Sequence, residues 1–277
     1  VDTSVRAVIG AGKVGAKGFV NAILRTVSRK TEEEWVTEVA PDAGRDPVGH
    51  LALKHGHPRW IADAFAQALG SRAGELADAL AADDARPIVH LVAKPGEISA
   101  EELALITGGE EGPWSPYCVR LESGDPGDLA PVKERLAAVQ DEGSQLIARA
   151  VTMAPLDGDD GGRWLDLCAG PGGKAAFLGG IAAIEGATVD AVEPVKKRAG
   201  LVENSVLGLP VTVHVADGRD PGLEPGYDRI LVDAPCSGLG SLRRRPEARW
   251  RKSTDDLPAL TKLQGELLES AAKLVRP

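Results

Sequence analysis

The chain has 277 residues, 43% hydrophobic and 26% charged, with a formal net charge of −9. That balance describes an ordinary globular protein able to bury real cores; it excludes a disordered chain and a protein that coats nucleic acid indiscriminately, which would be basic. No apolar stretch approaches the ~20 residues that span a bilayer and no signal peptide opens the chain, so a cytoplasmic address is the expectation.

Residues 1 to about 40 read as helical. Phe19, Val20, Ile23, Leu24 and Val27 fall at helix spacing within Lys17 to Arg29, and Thr31-Glu32-Glu33-Glu34 has the pattern of a helix cap. The stretch Gly10-Ala11-Gly12-Lys13-Val14-Gly15 matches the dinucleotide pattern G-x-G-x-x-G. It lacks a proper strand before it and a second strand ending in an acid after it, so a nicotinamide oxidoreductase is disfavoured. A Pro/Gly/Asp-rich link, Pro41 to Gly49, comes next. Helices are then expected at Pro58 to Leu69 and Ser71 to Ala81, a strand at Pro87 to Val92, and a helix capped by Ser99 and running through Ile106. His50, His55 and His57 lie close together without a carboxylate or thiol to complete a zinc pattern, and they are read as surface or loop residues; His90 and His214 lie on strands. No metal is expected. Cys118, Cys168 and Cys236 are too scattered for a disulfide framework or a CxxC knuckle and should be free thiols.

Beyond Pro131 strands and helices alternate: Trp164 to Leu167, Gly173 to Ile184, Thr188 to Val192, Val195 to Leu207, Val211 to Val215, Arg229 to Val232 and Asp255 to Leu274. This spacing implies a parallel, doubly wound α/β sheet, whose ligand crevice lies outside the carboxyl ends of the strands. Those ends carry chemistry. The first leads into the glycine loop Cys168-Ala169-Gly170-Pro171-Gly172-Gly173-Lys174, where backbone amides can approach a ligand closely. The second ends at Glu193, suited to a ribose hydroxyl pair, and the third at Asp217, suited to an exocyclic amine. The fourth delivers Asp233-Ala234-Pro235-Cys236, a carboxylate and a thiol joined by a stiff proline. The set describes an adenosine-shaped pocket; a nucleoside triphosphate is disfavoured because the P-loop pattern is missing, and S-adenosylmethionine fits better. Immediately downstream, Arg243, Arg244, Arg245, Arg249, Arg251 and Lys252 surround Trp250 against the single acid Glu247, as a polyanion contact with a stacking aromatic would require.

The segments DLCAGPGGK, VEPVKKR, ADGR and YDRILVDAPCSGLGSLRRRPEARW follow the order and spacing of the RsmB/Sun/Fmu family of RNA cytosine-5 methyltransferases, which the chain resembles across most of its length. GFVNAILR is similar to the end of a NusB-like helical domain, HPRW to the opening of the middle region and Val139 to Ser144 to the entry of the catalytic domain. The resemblance implies a class I, Rossmann-like methyltransferase sheet and three domains: residues 1–45, the end of a NusB-like RNA-binding domain; 46–138, a small α/β subdomain; and 139–277, the S-adenosylmethionine-binding catalytic domain. By the same resemblance, residues 168–174 line the methionine end of the cofactor, Glu193 holds the ribose with Arg198 nearby, Asp217 meets the adenine amine, and Asp233 faces both cofactor and target cytosine.

The implied reaction begins with a cysteine adding to carbon 6 of a cytosine in 16S-type ribosomal RNA. The family carries its nucleophile in a Thr-Cys-Ser strand end past the position of Pro277, while Cys236 helps release the product; the chain is therefore expected to be a fragment. The competing class is a non-catalytic RNA-binding or ribosome-assembly factor that keeps the fold.

Overall fold

A computed structural model describes residues 1–277, which divide into two compact units. Val1–Arg86 with Gly238–Thr254 form a helical unit, and Pro87–Ser237 with Asp255–Pro277 an α/β unit.

The helical unit contains α1 (Asp2–Gly10), α2 (Lys17–Val27), α3 (Glu32–Val39), α4 (Pro47–Lys54), α5 (Arg59–Leu69) and α6 (Leu76–Asp84). The dinucleotide-like glycines lie at the end of α1 and in the turn after it, with Gly12 at φ +72°, and no strand precedes them. The cap on α3 is a full capping box: Thr31 Oγ1 accepts from the Glu34 amide and the Glu34 carboxylate from the Thr31 amide.

Two expected boundaries move. The Pro41–Gly49 link ends at Asp46, whose carboxylate accepts the Gly49 amide while Pro47 occupies the first turn of α4. The helix expected from Ser71 is broken, because Gly70, at φ +53°, ends α5 and a 3-10 stretch, Gly70–Glu75, precedes α6. The α/β region expected to begin at residue 46 is also divided differently. Helices α4 to α6 bury Ala52, Ala62, Leu76 and Leu80 among themselves and belong with residues 1–45.

The α/β unit opens with an antiparallel sheet. It comprises β1 (Val89–Ala93), β2 (Glu110–Glu111), β3 (Cys118–Leu121) and β4 (Ala137–Val139), in the order β2-β3-β1-β4, with α7 (Ala100–Thr107) and the single turn α8 (Ala130–Lys133) between its strands. Leu91, Ala93, Val119 and Leu121 of the sheet bury against Leu103 of α7.

After α9 (Glu142–Met153) follow β5 (Arg163–Asp166), α10 (Gly173–Glu185), β6 (Thr188–Val192), α11 (Lys196–Ser205), β7 (Val211–His214), β8 (Arg229–Leu231) and α12 (Leu257–Leu274). The four strands are parallel in the order β7-β6-β5-β8. Successive side chains on a strand point to opposite faces. Trp164 accordingly joins Phe177, Leu178 and Ile181 of α10 and Ala148 of α9, whereas Leu165 joins Leu267, Ala271 and Leu274 of α12. Both faces are covered, as a doubly wound sheet requires. From β5 the chain steps outward through β6 to β7, then returns to lay β8 on the other side of β5. The switch point, and hence the crevice, lies between the carboxyl ends of β5 and β8. No helix is long and apolar enough to cross a membrane.

Candidate active site

The loop leaving β5 is built around a buried acid. Asp166 is fully enclosed, its Oδ1 accepts the Cys168 amide at 3.3 Å, and its Oδ2 has no partner. Burial, with Asp233 adding to it, pushes the Asp166 carboxyl up to about 7. Asp166 is the last residue of a strand, a position that in the sequence looks like packing and not like a site. Burial also pushes the neighbouring Cys168 thiol up to about 12, reinforced by Asp166, which keeps it protonated at neutral pH.

Gly170 is required by close approach: a Cβ there would stand 2.0 Å from Glu193 Oε2 and 2.8 Å from Arg198 Nη2. Gly172 sits at φ +115°, the left-handed side of the map, at the start of α10. Glu193, at the end of β6, is nearly fully buried, and its Oε1 accepts the Val195 amide at 2.9 Å. Arg198 donates to the Gly170 carbonyl at 2.7 Å and lies 3.4 Å from Glu193 Oε2, so it ties the glycine loop to this acid.

Asp217 follows β7 and is half-exposed. Arg219 donates to both of its oxygens, at 2.7 Å in the shortest contact, and holds the carboxyl down at about 2. Arg219 in turn reaches Glu266 of α12 at 3.1 Å. Its spacing two residues from Asp217 was the available signal for this pairing. Across the switch point, Lys174 of α10 donates to Asp233 Oδ2 at 2.7 Å. Gln264 of α12 donates to the Pro235 carbonyl at 2.8 Å and steadies the loop, leaving Cys236 exposed. The sheet thus brings residues 168–174, Glu193, Arg198, Asp217 and Asp233 to the same strand-end edge of one unit.

The basic segment belongs to the other unit. Arg243, Arg244, Arg245 and Trp250 are exposed. Arg249 is not: it is 5% exposed and paired with Asp84 at 2.8 Å, so its place on the basic surface is withdrawn. The reading of the three clustered histidines as surface groups also fails for His57, which is buried with Nε2 3.3 Å from Asp83 Oδ2; burial, with the Arg249 charge, lowers its pKa. In the α/β unit His90, Cys118 and Glu142 converge, but Glu142 already accepts the Trp114 and Ser115 amides and His90 Nδ1 the Glu142 amide. Burial raises the Cys118 thiol to about 12.

Residues 150–277 match the family model described as 16S rRNA methyltransferase RsmB/F. Rv1407 of Mycobacterium tuberculosis, provisionally named a methyltransferase, is 59% identical over 260 residues, covering 94% of this chain and 57% of that protein. The Klebsiella pneumoniae ribosomal RNA small subunit methyltransferase B is 34% identical over 272 residues, covering 94% of this chain and 58% of that protein. The chain thus spans somewhat over half the length of the curated relatives it matches. Among solved structures, the protein PH0851 superposes with a TM-score of 0.74 at 27% identity, over 83% of this chain and 53% of that one. The matched segment contains the β5 loop, Glu193, Asp217 and Asp233, and residues 150–277 belong to the RsmB/F methyltransferase family.

Proposed function

We propose that the protein is an S-adenosylmethionine-dependent methyltransferase that forms 5-methylcytosine in small-subunit ribosomal RNA. One observation carries the reading: a glycine loop and three acids stand at four successive strand ends around the switch point, within a segment that matches an rRNA methyltransferase family.

The residues fit the cofactor. Glu193 and Gly170 approach so closely that no side chain fits between them, Asp166 Oδ2 is a buried acceptor without a partner, and Asp217 is fully ionised at neutral pH. Glu193 would hold the ribose hydroxyls, Asp217 the adenine amine, and residues 168–174 the methionine end. The bound cofactor supplies an electrophilic methyl group. Asp233, oriented by Lys174, would hold the polar edge of a cytosine lifted out of its stack. Addition of a cysteine thiolate to carbon 6 would make carbon 5 nucleophilic toward that methyl; loss of the carbon-5 proton with elimination of the thiolate would then free the 5-methyl base, and Cys236 would assist that release.

Full-length protein incubated with labelled S-adenosylmethionine and unmodified ribosomal RNA should transfer label to the RNA, and Asp233→Ala should abolish transfer. Cofactor binding without transfer would instead support the RNA-binding factor.

A further inference from the structure

Between β8 and α12 the chain leaves the α/β unit at Ser237 and re-enters it at Asp255, and Gly238–Thr254 folds as part of the helical unit. Within this excursion Leu242 and Arg249 are buried, while Arg243, Arg244, Arg245, Trp250 and Arg251 are exposed. A 3-10 turn, Pro246–Trp250, sends adjacent residues opposite ways: Arg249 inward and Trp250 outward at 70% exposure.

The acceptors that Arg249 meets are the carboxyl ends of two helices. Nη1 donates to Asp84 Oδ1 at 2.8 Å and to the His55 and Gly56 carbonyls at 3.2 and 3.4 Å; Nη2 donates to the Asp83 carbonyl at 3.0 Å. His55 is the C-terminal cap of α4 with Gly56 just beyond it, and Asp83 and Asp84 end α6. The last carbonyls of a helix lack intrahelical partners and carry the negative end of its dipole, so a buried guanidinium satisfies both at once.

We propose that Arg249 is a positioning residue for RNA. By capping α4 and α6 together it fixes the excursion as an ordered basic face, with Arg243, Arg244 and Arg245 set for phosphates and Trp250 for a base of single-stranded RNA. Arg249 itself does not touch the RNA. The RNA grip of this methyltransferase is therefore part of the helical unit, although its residues lie in sequence inside the catalytic one. This inference rests on the proposed RNA reading.

The test is filter binding of a small-subunit rRNA transcript to the full-length protein across a salt series, with calorimetry of S-adenosylmethionine binding in parallel. Arg249→Met should weaken RNA binding about tenfold and flatten its salt dependence, although it removes no exposed charge; cofactor affinity should not change. Arg249→Lys, which keeps the charge, should recover part of the loss. Asp84→Asn, a half-exposed position that leaves the arginine in place, should move RNA binding the same way by about threefold and covers the case in which Arg249→Met does not fold. RNA affinity and salt slope unchanged in the folded Arg249→Met variant, or in Asp84→Asn should the first not fold, would overturn the proposal. A triple Arg243, Arg244, Arg245→Ala variant separates the two levels. If it binds RNA like wild type, the RNA reading of the basic run fails; if it binds weakly while the Arg249 and Asp84 variants do not, only the positioning role fails.

Discussion

Two buried, charged neighbourhoods use the same chemistry to opposite ends. At the end of β5 and β6, Asp166 is sealed with one oxygen unpartnered and Glu193 is held by a single backbone amide beside a half-exposed arginine. At the ends of α4 and α6, both terminal nitrogens of Arg249 are engaged by four acceptors. Burying polar groups is costly unless they are paired. The unpartnered oxygen of Asp166 therefore marks a place where a ligand can complete the structure, whereas Arg249, although its Nε is left without a partner, meets its charge with acceptors of its own unit.

The contrast can be broken by substitution. Arg249→Met leaves Asp84 and the ends of two helices without their cation, and should cost about 3 kcal/mol in a denaturant titration of the helical unit. Gly170→Ala drives a Cβ into Glu193 and should weaken S-adenosylmethionine binding about a hundredfold by calorimetry, ~2.7 kcal/mol, with little change in unfolding.

Asp166→Asn should have the opposite sign. Burial raises the folded carboxyl to about 7, so its contribution to stability is present below its unfolded pKa near 4 and lost as pH rises through 7. The asparagine variant should match wild type at pH 4 and exceed it by about 2 kcal/mol at pH 8, while losing cofactor affinity. The smallest effect belongs to His57. Its folded pKa lies below 6.5, so the stability it contributes is present above pH 6.5 and lost as pH falls through the folded value. His57→Gln should flatten the stability profile below pH 6.5.

The parallel sheet was legible because its strands are apolar runs closed by glycines and acids: β6 lies at the expected Thr188–Val192, and the glycine loop, Glu193, Asp217 and Asp233 lie at its strand ends, whereas the basic run falls in the other unit. The strands β2, β3 and β4 were not, because segments of two to four residues carry too little alternation to stand out. Helix α9 escaped because Asp141-Glu142-Gly143-Ser144 reads as a motif before it reads as a cap. A run of arginines does not reveal which member turns inward. That depends on acceptors at His55 and Asp84, far away in sequence.

The most direct test uses small-subunit ribosomal RNA transcribed with cytidine tritiated at carbon 5, incubated with the full-length protein and unlabelled S-adenosylmethionine. Methylation at that carbon must expel its hydrogen, so the account predicts tritium appearing in water in step with methyl transfer. Methyl transfer with the tritium retained would place the group on another atom and contradict it.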